Sequence, residues 1–160
     1  MGKTLIYCGF ENDFVLFPLS ARTASIYAEI QGGKENSISI FPEGGKEKIA
    51  TQEICYVAQK LEKNNSVREF LIRDFSIGDQ GFRIFAKILQ TNNYLTALGL
   101  EKTEPTDEGV KTLSLALEKN KTLTDLNIKR NIAVGNQIEA IARLLTINKT
   151  LKRLDIGYIG

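Results

Sequence analysis

At 160 residues, with 42% apolar and 25% charged side chains, the chain has the size and composition of one globular domain with a substantial core. Lys and Arg number 21 against 19 Asp and Glu, and the +2 balance is scattered along the chain, so no field favours DNA, RNA or anionic lipid. Histidine is absent, which removes Ser-His-Asp and Cys-His catalysis and the HExxH zinc site together.

Residues 1–46 read as an irregular N-terminal cap. LIYC (5–8) and FVLF (14–17) have the length of short strands, and FVLFPL, interrupted by Pro18, is far too short to span a bilayer. Glu11 and Asp13 break the apolar run a signal peptide needs, and Ile6 stands where a myristoylation motif wants Ser or Thr, so the expected setting is cytoplasmic. Gly2-Lys3-Thr4 resembles only the tail of a phosphate loop, without the strand and glycine that should precede it. Cys8 and Cys55 lie in apolar surroundings without CxxC spacing and are expected as buried thiols.

Next, Leu19, Thr23, Ile26 and Ile30 form a helical stripe closed by Gly32-Gly33. Ile38 and Ile40 alternate as in a strand and precede Phe70 and Ile72 by 32 residues. That spacing suits a first repeat enlarged by an insertion at Pro42-Glu43-Gly44-Gly45.

From 47 to 160 the chain repeats itself. VREFLI (67–72), LTALGL (95–100), LTDLNI (123–128) and LKRLDI (151–156) share the pattern Φ-x-x-Φ-x-Φ, with Φ apolar, and begin 28 residues apart. Between them run helical stripes: Ile54, Val57, Ala58, Leu61, then Phe82, Phe85, Ala86, Leu89, then Val110, Leu113, Ser114, Leu117, and last Ile138, Ile141, Ala142, Leu145. Asn64, Asn92, Asn120 and Asn148 fall three residues before each strand motif, where an asparagine in the left-handed conformation would end a helix. This column explains the sequons at Asn64, Asn120 and Asn148 as helix ends. Asp79 and Asp107 mark helix starts, followed in the next recurring column by Gly81 and Gly109.

The segments DQGFRIFAKILQTNNYLTALGL and DEGVKTLSLALEKNKTLTDLNI resemble the ribonuclease-inhibitor-like class of leucine-rich repeats. The resemblance covers about 47–160 and implies an α/β fold: a right-handed leucine-rich-repeat solenoid with a parallel sheet on the concave side and helices on the convex side. Strands about 4.8 Å apart and helices about 8–10 Å apart would bend such a stack into a shallow arc. The turn asparagine of that class survives only as Asn131, with Phe75, Thr103 and Ile159 at the equivalent positions. Behind the last strand the chain reaches Gly160 without another helix, leaving Leu151, Leu154, Ile156 and Ile159 expected as an uncapped edge. Either the sequence is a piece of a longer repeat protein, or this end packs on a partner or a second copy.

The carboxylates Glu11 with Asp13, and Glu104 with Asp107 and Glu108, are close in sequence and suit exposed surface better than the separated pair of a glycosidase. No spacing matches a zinc or calcium site, so no metal, cofactor or enzymatic activity is expected. Period-two alternation instead sends one residue set to the concave face: Glu69, Leu71, Arg73, Ala97, Gly99, Glu101, Asp125, Asn127, Lys129, Arg153, Asp155 and Gly157. Ala97 and Gly99 are expected to leave a shallow groove beside Leu71, ringed by charges of both signs that suit a protein partner.

The sequence therefore points to a protein-binding repeat scaffold. Its Ile, Lys and Asn content and short repeats resemble effectors that intracellular bacteria deliver into a host cytosol. Two other readings stand beside it: a module that self-associates into a homo-oligomer through the C-terminal edge, and the recognition fragment of a larger enzyme.

Overall fold

The computed structural model describes residues 20–42, 51–131 and 136–157, together with the backbone of 4–7 and 14–17. Two short strands, β1 (Thr4–Tyr7) and β2 (Phe14–Phe17), pair antiparallel as a separate hairpin. Helix α1 (Ala21–Gly32) follows, then β3 (Ser37–Ile40) and α2 (Thr51–Gln59), which tightens into a 3-10 turn at Lys60–Lys63. Strand and helix then alternate as β4 (Glu69–Arg73), α3 (Gly78–Thr91), β5 (Ala97–Glu101), α4 (Asp107–Lys119), β6 (Asp125–Asn127), α5 (Asn136–Ile147) and β7 (Arg153–Asp155).

Strands β3 to β7 form one parallel five-stranded sheet in chain order, each paired with its successor. Such pairing needs a crossover between strands, and here every crossover described is a helix. The fold is thus mixed α/β. The 32-residue offset holds at the start of the sheet, where Ile38 aligns with Phe70 and Ile40 with Ile72.

The core lies between sheet and helices. Phe70, Ile72, Leu98, Leu100, Leu126 and Ile128 turn one strand face toward the helices, met by the expected stripes of α2 to α4, whereas α5 buries Gln137, Ile141 and Leu144 and leaves Ile138, Ala142 and Leu145 exposed; the Phe70 and Phe85 rings lie 5.7 Å apart. At the N-terminal end Thr23, Ile26 and Ile30 bury the inner side of α1, and Gly33 closes the helix in the left-handed region at φ 62. Tyr27 and Tyr56 stack with Lys60 over the Tyr56 ring. Cys55 is buried as expected; Cys8, Leu19 and Glu43 to Gly45 lie outside the described residues.

The asparagine column has a different cause from the one expected. Asn64, Asn92 and Asn120 all sit in extended backbone, with φ of −75, −77 and −68, and none uses the left-handed region. Their amides join neighbouring units. The Asn92 Oδ1 accepts from the backbone N–H groups of Tyr94 and Leu95, both at 2.8 Å, while its Nδ2 donates back to the Leu61 carbonyl at 2.6 Å. Asn120 repeats this with Thr122, Leu123 and the Leu89 carbonyl, and Asn148 with Thr150, Leu151 and the Leu117 carbonyl. Only a side chain holding both an acceptor and a donor satisfies these buried backbone groups at once.

The helix-start aspartate also works across units. Asp79 accepts from the Thr106 amide and hydroxyl, both at 2.7 Å, and so ties α3 to the start of α4. Gly109 is small because a Cβ there would collide with the Asp79 carboxylate.

Candidate functional site

The parallel register gathers the expected set onto the sheet face turned away from the helices. Glu69, Ala97, Asp125 and Arg153 align in one row, and Leu71, Gly99, Asn127 and Asp155 in the next. Arg73 pairs with Glu101, while Lys129 and Gly157 lie just beyond the ends of β6 and β7. The rows enclose a shallow groove of about 370 Å³. Its fifth column, Ser37 and Ser39 on β3, was missed by the sequence reading although the same alternation from Ile38 and Ile40 yields it.

One detail of that groove is corrected. Gly99 does not open a hole for a partner: it is buried beneath Leu71, and a Cβ on Gly99 would strike the Leu71 side chain. The small residue is spent on a neighbour in the same sheet. Leu71 consequently lies flat near the middle of the face, half-buried among polar groups.

The charges are mostly paired across strands. Glu101, only 5% exposed, sits 3.6 Å from both the Lys129 ammonium and the Arg130 guanidinium. The Thr124 hydroxyl, with the Arg153 guanidinium on the next strand, holds the Asp125 carboxyl below the usual carboxylate range. Beyond the strand ends Lys102 reaches Asp74 at 2.9 Å. Asp74, Lys102 and Arg130 occupy matching positions and share positive φ values of 60, 51 and 60, which fix the turn at the rim of the face. The surviving turn asparagine works there too, since the Asn131 Oδ1 accepts from the Thr103 amide at 2.6 Å.

At the other expected site, Leu151 and Leu154 on and before β7 are half-buried and Ile156 is exposed; Ile159 lies outside the described residues. Glu104, Asp107 and Glu108 are exposed around the start of α4, whereas Glu11 and Asp13 lie outside the described residues. Among the described residues no group of three or more Cys, Asp or Glu is arranged to hold a metal ion, and no helix is long and apolar enough to cross a membrane.

No family model matches the chain, and no curated protein matches it. Solved structures do. A structure of leiomodin-1 actin-binding site 2 superposes with a TM-score of 0.75 at 24% identity, over 88% of this chain and 81% of that one. A tropomodulin C-terminal domain from Caenorhabditis elegans gives 0.73 at 15% identity, over 86% of this chain and 84% of that one.

These matches overturn the resemblance to ribonuclease-inhibitor-like leucine-rich repeats. They also replace the reading of a delivered effector scaffold, and with it those of a self-associating module and of the recognition arm of an enzyme. The reason is physical: the apolar spacing records how a strand and a helix bury one face against their neighbours, and proteins with different partners solve that problem alike. What the likeness shows is the architecture, and the chain has the fold of these tropomodulin-type domains.

Proposed function

We propose that this chain binds actin through the open face of its five-stranded sheet. The observation that carries the reading is the likeness, over 88% of the chain, to a domain described as an actin-binding site. It is a binding function without a catalytic step, in a cytoplasmic setting. In this reading the units wind as a right-handed solenoid with the sheet on its concave side, and residues 1–46 cap the array that runs from 47 to 160.

The face suits such a partner physically. Its side chains stand on paired strands, so little ordering is lost on contact. Glu69, Arg73, Asp125, Lys129, Arg153 and Asp155 mix both signs in equal number, a pattern that orients a protein surface and gives no general attraction to polyanions.

Cosedimentation with actin filaments and anisotropy with monomeric actin test the reading. Glu69, Arg73 and Arg153 are exposed, so replacing all three by Ala should change folding stability little while weakening actin binding about tenfold or more. A wild-type chain that binds neither form removes actin as partner. Equal binding by the triple variant removes the sheet face.

A further inference from the structure

We infer that Phe41, at the margin of the open sheet face, is the apolar anchor through which that face holds actin, and that it takes an apolar side chain of the partner with a carboxylate beside it for Arg73. This rests on the actin reading above and adds to it the residues that supply most of the affinity. Strand β3 carries its alternation one residue past its end. Ile38 and Ile40 belong to the core, so Ser37, Ser39 and Phe41 fall on the open side. The pairing of Ile40 with Ile72 sets Phe41 next to Arg73, whose guanidinium lies over the ring, 5.7 Å from its centroid.

Phe41 differs from the rest of the face. It is 39% exposed, and among the described residues no other apolar side chain of the face is exposed, since Leu71 and Ala97 are half-buried. Leu71 also leans away from β3, over Gly99, and Ala97 is small. The Phe41 ring is therefore the one large apolar surface that the face offers. Water around such a ring is released when a partner covers it, and protein interfaces draw most of their affinity from a few aromatic and arginine side chains. Here one of each stands together, and the guanidinium over the ring limits the ordering that docking would cost.

The charges around the ring define what docks on it. Asp74 is shared between Lys102 at 2.9 Å and Arg73 at 3.6 Å. Glu101, paired with Arg73 in the sheet register, is buried and engaged by Lys129 and Arg130. Two exposed cations thus divide one carboxylate, and a guanidinium with five N–H donors has bonds to spare. A carboxylate of the partner completes that set, whereas a further cation would be repelled.

The test is the 160-residue chain carrying Phe41→Ala, Phe41→Leu or Arg73→Gln, each measured by cosedimentation with actin filaments and by anisotropy with monomeric actin. Both positions are exposed, so circular dichroism and thermal melts should match the wild type. Phe41→Ala is expected to weaken binding about tenfold or more, and Phe41→Leu about threefold or less, because leucine keeps most of the apolar area. Arg73→Gln should weaken binding and flatten its decline with added salt. Full binding by Phe41→Ala, or an unchanged salt slope in Arg73→Gln, overturns the inference and leaves the actin reading standing. Absence of binding by the wild-type chain removes both. Sedimentation at several concentrations addresses a second copy as occupant: a wild-type dimer that Phe41→Ala dissociates assigns the ring to that contact and overturns the inference.

Discussion

At the scale of single residues, the chain depends on side chains that serve two units at once. Asn120 is buried and bonded to the amides of Thr122 and Leu123 and to the Leu89 carbonyl. Replacing it by Ala strands those groups and should cost about 3 kcal/mol in denaturant unfolding. Asn120→Asp should cost at least as much, because a carboxylate accepts from the amides but sets a second acceptor against the Leu89 carbonyl. A mild effect of the aspartate would contradict the bridging role. Asp79 gives a pH signature. Partial burial works to raise its pKa, but bonds from the Thr106 hydroxyl and amide, with the Arg83 charge and the Gly109 amide, outweigh it and leave the carboxyl below its ordinary value. The bond to α4 is therefore fully present above about pH 4 and lost as pH falls through the depressed folded value. Asp79→Asn should flatten the loss of stability between about pH 4 and pH 2, measured as unfolding midpoints along the series.

At the scale of elements, the period was legible and its fine causes were not. Apolar spacing located β4 to β7 and the stripes of α2 to α4, because burying one face dictates periods of two and 3.6 residues whatever the family, but on α5 it chose the wrong side, since Gln137, Ile141 and Leu144 are buried while Ile138, Ala142 and Leu145 are exposed. The offset from Ile38 to Phe70 even supplied the strand ahead of the regular repeat. It could not reveal that the asparagines are extended and bridge neighbours, since a column of asparagines at helix ends is equally consistent with left-handed caps. Nor could it foresee Leu71 folded over Gly99: side-chain direction within a sheet face is decided by neighbours that only the register brings together. Elements also differ in cover. Helices α3 and α4 have neighbours on both sides, whereas α5 is followed by none among the described residues. Native-state hydrogen exchange should show β7 and α5 opening at lower free energy than α3 and α4, and uniform protection along the array would contradict this.

At the scale of the whole molecule, the sequence left the partner undetermined. The residues of the open face on β4 to β7 were named, but Ser37, Ser39 and Phe41, which lies beside Arg73, were not; a mixture of signs on a sheet fits many proteins, and the family assigned from the repeat was the wrong one. The shape matches domains of leiomodin and tropomodulin over most of the chain, which shows the architecture and leaves the partner to the binding experiments.

The amide clamps carry a direction as well as a bond. In each, the later segment brings the donating Nδ2 and the earlier one holds the waiting carbonyl, from Ile30 through Leu61 and Leu89 to Leu117. A polypeptide leaving the ribosome exposes its acceptors first, so each newly emerged turn arrives to find its docking place finished, and the protein can be completed in the order in which it is synthesised.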